Sequence, residues 1–134
     1  MSIFGGGKKD TRPVDEGLAH LLGSDENTAI EFWKKRFKMT ASVPSEIARV
    51  GALTPQIRQL TRVGDLDERK RLTRARLIAF AQLSLEERKT IVATRRKAFE
   101  VDPAVLGEDQ RMVDELLPTL DEDVRAAYVS GHSS

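Results

Sequence analysis

The chain has no cysteine and only two histidines in 134 residues. The first absence removes disulfides, thiolate nucleophiles and sulfur-ligated zinc, and it fits a reducing compartment. The second leaves almost no side chain that titrates near neutrality, where general acid–base chemistry operates. His20 stands among leucines and His132 stands close to the C-terminus. Neither has a Glu three residues before it, so the Glu-x-x-His pattern of helical di-metal sites is missing. Gly5-Gly6-Gly7-Lys8-Lys9 resembles a phosphate loop in composition but not in spacing. No constellation of nucleophile, base and acid can be drawn. No enzyme, no metal and no cofactor is expected.

Long apolar runs are also missing. A membrane span needs about 20 apolar residues, and the longest strongly apolar run is Leu77–Ala81. Lys8 and Lys9 are followed by no apolar stretch of the kind that a secretory signal needs. The expected location is cytoplasmic. Sustained alternation of apolar and polar residues is absent too, so no strand is predicted.

What is present is helix, and the caps mark where each one starts. Residues 1–13, with Gly5-Gly6-Gly7, Lys8-Lys9-Asp10 and Pro13, read as a disordered tail. A short helix is predicted over Val14–Leu22, stopped by Gly23. Ser24 or Asp25 caps a longer one to about Thr40, with Ile30, Trp33 and Phe37 on one face. Two short helices are predicted next, Ser45–Val50 and Pro55–Val63, the second capped by Thr54 with Pro at its first position. Asp65 opens a helix to about Gln82. Ser84 with Glu87 forms a capping box opening another, to about Glu100. Asp102-Pro103 starts the next, which Pro118 breaks, and Asp121 caps a last helix through Tyr128. Residues 130–134 read as a second tail. The expected fold is a compact all-α bundle of six or seven helices, some short, formed by one domain over residues 14–129. The run Leu77–Ala81 is apolar on every side, which places it at the centre. Phe80 is expected to share a core with at least two of Trp33, Phe37, Val92 and Phe99.

The chain also segregates its charge. Residues 28–99 hold 17 Lys or Arg against 7 Asp or Glu, a net of +10, and residues 101–134 hold 2 against 8, a net of −6. Such a split speaks about partners and association rather than fold. The acidic helix near Glu108, Asp109, Asp114 and Glu115 is expected to lie against part of the basic centre and limit its access to anions.

Two stretches carry candidate contact residues. Phe32-Trp33-Lys34-Lys35-Arg36-Phe37-Lys38 interleaves aromatics with bases, a pattern that suits nucleic acid, where bases stack on rings and phosphates meet cations, or an anionic membrane surface. The helical spacing of Trp33 and Phe37 favours the other reading, a core stripe with the lysines as a solvated face. Residues 45–63 have the layout of a helix-turn-helix, in which Gln56, Arg58, Gln59 and Arg62 would be the exposed reading set of a DNA-binding regulator. The leading expectation is a non-enzymatic binding module, an adaptor or regulatory subunit, that engages a macromolecular partner through its basic central surface. A protein partner comes first and nucleic acid second. The partner-binding set is Lys34, Lys35, Lys38, Gln56, Arg58, Gln59, Arg62 and Arg74.

Overall fold

The computed structural model describes residues 16–132 of the chain. The expectations for residues 1–13 and for Ser133 and Ser134 lie outside this range. Among the described residues there is no strand. The helices are α1 (Glu16–Ala19), α2 (Glu26–Ala41), α3 (Glu46–Thr61), α4 (Leu66–Ala81), α5 (Leu85–Val101), α6 (Pro103–Leu116) and α7 (Glu122–His132). A 3-10 turn, Leu117–Thr119, links the last two. The all-α bundle expected from the sequence is the fold observed.

Five helix starts are fixed by side chains that the sequence supplies at the right place. Asp25, Ser45, Asp65 and Asp102 each accept the backbone N–H three residues on, at 2.8, 3.3, 3.0 and 3.3 Å. Ser84 and Glu87 close a reciprocal box at 3.1 and 2.9 Å. Each such cap contributes about 1 kcal/mol by satisfying an N–H that the helix itself cannot. Gly23 takes a left-handed φ of 79°, a conformation that suits glycine, and its N–H donates to Glu68 at 2.6 Å. That bond ties the entry of α2 to the first turn of α4. Near the other ends of the same two helices, Phe37 and Phe80 meet edge to face at 6.2 Å. The two helices therefore run in the same direction, and α3 returns the chain between them.

Phe80 shares the main core with Trp33, Phe37 and Val92, and Phe99 packs against it half-buried. A second cluster, Leu77 with Met112, Val113, Leu116, Leu120 and Val124, continues the core toward α6 and α7. The apolar run of α4 stands between the two clusters, as its lack of a polar face requires.

Two segments differ from expectation. Residues 45–63 do not form two short helices around a Gly-Ala turn; α3 is one helix with Pro55 inside it. Thr54 is therefore no cap, and its hydroxyl instead donates to the Val50 carbonyl at 2.8 Å. Pro55 cannot donate to the Gly51 carbonyl, but both residues are exposed, so the lost bond falls on the wet side of the helix. An interior proline costs about 3 kcal/mol. Burial of Leu53, Ile57 and Leu60 contributes about 1.5–3 kcal/mol each and outweighs it. The last helix also reaches His132 rather than ending at Tyr128. Gly131 is buried against Phe80, where a Cβ would stand 2.9 Å from the ring. Arg88 donates to Ser130 at 3.2 Å. Residues 130–132 are thus docked, because a residue without a side chain lets the helix lie directly on the core.

Candidate functional site

Behind the surface, three helices meet at a buried ionic hub. Arg76 of α4 donates to both carboxylate oxygens of Asp109 on α6, at 3.1 and 2.8 Å. Arg95 of α5 reaches the same carboxylate at 2.8 Å. The Asp109 and Arg76 side chains are 2% and 7% exposed, so both charges are withdrawn from water. Asp109 lies there because it occupies the apolar stripe of α6, between Leu106 and Met112–Val113. Burial pushes its carboxyl up, but the Arg76 and Arg95 guanidiniums outweigh that effect and hold it below the ordinary carboxylate value. Burial likewise lowers Arg95, against the pull of Asp109. Gln110 extends the network. It accepts from Arg95 at 3.1 Å and donates to Asp114 at 2.9 Å and to the Tyr128 hydroxyl at 3.3 Å.

Around the hub the acidic helix lies against the basic centre. Arg69 pairs with Glu108 at 2.9 Å and Lys70 with Glu115 at 2.7 Å. Arg58 of α3 pairs with Asp102 at 2.9 Å. Each of these exposed or half-exposed pairs contributes about 0–1 kcal/mol. Their effect is on the field: much of the positive charge of the middle is met by the chain's own acids.

The outer side of α2 and α3 is different. A cleft of about 120 Å³ opens between them, with Leu18, Phe32, Trp33, Ala52, Pro55, Gln56 and Gln59 among its walls. A smaller cavity of about 40 Å³ lies deeper, reaching Arg76, Arg95, Tyr128 and His132. Trp33 and Gln56 line both spaces and form the partition between them. The indole Nε1 of Trp33 and the Oε1 of Gln56 are buried and have no hydrogen-bond partner among the described residues. A buried donor or acceptor left unpaired costs roughly 1–3 kcal/mol. Arg36, which also lines the cleft, lies over the Phe32 ring at 4.7 Å from its centroid.

The expected contact residues are only partly brought together. Gln56 and Gln59 share the cleft, and Lys35 follows Phe32 by one turn on the outer side of α2, exposed. Lys34 is half-buried and Arg74 is exposed on α4. Lys38 pairs with Glu87 at 3.3 Å, and Arg58 is committed to Asp102. Gln56, Arg58, Gln59 and Arg62 do not form an exposed reading edge; three of the four are half-buried, because α3 packs against α2, α5 and α6. The aromatics of the interleaved stretch are likewise taken up by packing. Trp33 and Phe37 are 1% and 4% exposed, so neither ring can stack on a base. Sequence reasoning set Asp109 against the basic centre, but it missed Arg76 and Arg95 as its partners and the burial of all three. A charge standing on the apolar face of its helix was the signal that could have found them.

Among the described residues no group of three or more His, Cys, Asp or Glu is placed to hold a metal ion. Among the same residues no helix is long and apolar enough to cross a membrane. No family model, no curated protein and no solved structure matches this chain.

Proposed function

We propose that this chain is a non-enzymatic helical binding module, an adaptor or regulatory subunit, that engages a protein partner on the outer side of its basic centre. The observation that carries this reading is the internal use of charge. Arg58, Arg69, Lys70, Arg76 and Arg95 already face Asp102, Glu108, Glu115 and Asp109. Five of the cations that remain outside these pairs, Lys34, Lys35, Arg74, Lys89 and Arg111, lie on four different helices. A nucleic-acid surface works through a continuous stripe of cations that displaces condensed counterions. A protein partner needs only a few cations around a shaped, partly apolar site.

Titration with generic duplex DNA at two salt concentrations tests the choice. A surface with six or more phosphate contacts loses about 10³-fold in affinity between roughly 50 and 200 mM salt. The expected result is weak binding at the lower salt and a shallow dependence. Tight binding with a steep slope would replace this reading with the DNA-binding one.

A further inference from the structure

We propose that the deep cavity beside the hub holds one small monovalent anion, a halide such as chloride, which neutralises the positive charge that Asp109 leaves over.

The hub brings two guanidiniums to one carboxylate, so it carries one cation in surplus. That surplus is largely withdrawn from water, because the Arg76 side chain is buried and that of Arg95 is 16% exposed. A buried charge without a counter-charge is costly. Burial, and after it the like charge of Arg76, hold Arg95 below its ordinary value although Asp109 pulls the other way. The same two arginines line the cavity of about 40 Å³. Tyr128 and His132 stand on its wall, most of the remainder is apolar, and none of the described residues that line it is Asp or Glu. Asp109 therefore meets the arginines from outside the cavity, and the side that faces the cavity keeps their charge. Each guanidinium also carries more N–H donors than its bonds to Asp109 and Gln110 use.

Size selects the occupant. One water needs roughly 10–15 Å³ of such space, and pockets that engulf small organic molecules enclose about 300–1,000 Å³. A space of about 40 Å³ admits a monatomic anion and rejects one with an organic body. Apolar walls screen the attraction little. Because Tyr128 and His132 belong to α7, the anion also ties the docked end of that helix to the hub.

The test replaces sodium gluconate, whose anion is too large for the cavity, with sodium chloride at constant ionic strength and follows urea unfolding of the full chain. Above the dissociation constant, each tenfold rise in chloride is expected to raise the folded-to-unfolded ratio about tenfold. Arg95→Met, which leaves Arg76 and Asp109 as a neutral pair, is expected to lose the chloride dependence. Lys35→Met, which removes an exposed cation outside the cavity, is expected to keep it. In crystals grown with bromide, an anomalous peak is expected in the cavity beside Arg76 and Arg95. An unfolding midpoint that ignores chloride at fixed ionic strength overturns the proposal, as does an Arg95→Met variant that responds like the parent. If Arg95→Met does not fold, the bromide crystal of the unaltered chain decides, and a cavity filled by water without a bromide signal overturns the proposal.

Discussion

The hub and the cleft lie on two sides of one thin partition, and they treat polar atoms in opposite ways. In the hub, a buried carboxylate is shared by two guanidiniums and every carboxylate oxygen is engaged. In the cleft, a buried indole N–H and a buried amide oxygen have no partner. The difference follows from magnitude. An unpaired buried charge costs several kcal/mol and would unfold a marginal domain. An unpaired neutral dipole costs roughly 1–3 kcal/mol and can be carried by the fold. The Asp109 carboxylate is therefore fully paired, whereas the indole and the amide oxygen are carried unpaired; single guanidinium nitrogens of Arg49, Arg69, Arg71 and Arg88 are also unpaired, but each of these groups bonds through another of its nitrogens.

The largest expected effect breaks the hub. Asp109→Asn removes the carboxylate that Arg76 and Arg95 share and should lower stability by about 3–5 kcal/mol, measured by urea unfolding. Replacing all three residues together, with Met at 76 and 95 and Leu at 109, removes the desolvation along with the pairing and should recover most of that loss. A single Asn variant that loses less than about 1 kcal/mol would show that the hub is not sealed from water.

Next comes the closure of the core by α7. Gly131→Ala would set a Cβ 2.9 Å from Phe80 Cζ and 3.2 Å from Arg88 Cβ. Overpacking costs about 1–3 kcal/mol, against a gain of about 1 kcal/mol from helix propensity. The Arg88 Cβ is on the stem of its side chain and cannot swing away, so the net effect should be a loss of about 1 kcal/mol. A stabilised variant would mean that the last turn of α7 is free to lift.

Acid is expected to loosen the structure through groups held below their ordinary values. Glu68 is lowered from 4.5 to about 2, chiefly by its hydrogen bonds from Arg71 and from the Gly23 N–H. A depressed carboxylate contributes stability that is fully present above its unfolded value and is lost as pH falls through its folded value. The window for Glu68 is therefore from about 4.5 down to about 2. Unfolding midpoints of Glu68→Gln should depend less on pH than those of the parent inside that window, and equally at pH 6–8. Matching slopes in the window would show that Glu68 and Arg71 are not coupled in solution. The effect is smaller than that of the hub because both side chains are partly exposed and screened.

The fold was legible wherever a local rule decided it. Asp25, Asp65, the Ser84–Glu87 box and Asp102-Pro103 open their helices as read, because a cap needs only residues three apart. The opposition of acidic and basic segments also translated into contact between α6 and its basic neighbours. The reading failed where packing overrode a local signal. Gly51 and Pro55 mark a break in any isolated peptide, yet the buried stripe of α3 carries the helix through them. Gly131 was read as part of a tail from Ser130 onward, yet its missing side chain is what docks the helix end. The cleft was only half legible. Gln56, Gln59 and Lys35 were picked out for an exposed surface, but the pairing of Gln56 with Trp33 depends on how α2 and α3 approach, and no spacing along the chain encodes that.

The smallest expected effect on stability belongs to the cleft, and it sharpens the comparison most. Gln56→Leu removes an acceptor that is buried without a partner, so no protein hydrogen bond is lost. What changes is the desolvation of the amide, which the leucine does not suffer, and the packing, which a side chain of similar volume preserves. The variant should unfold at the same denaturant concentration as the parent or gain up to about 1 kcal/mol. The sign is opposite to that of every change in the hub, although the two sites share the Trp33–Gln56 partition. A loss of more than about 1 kcal/mol would mean that Gln56 is already satisfied in solution by tightly held water. The cleft would then be a second structural site rather than an open one.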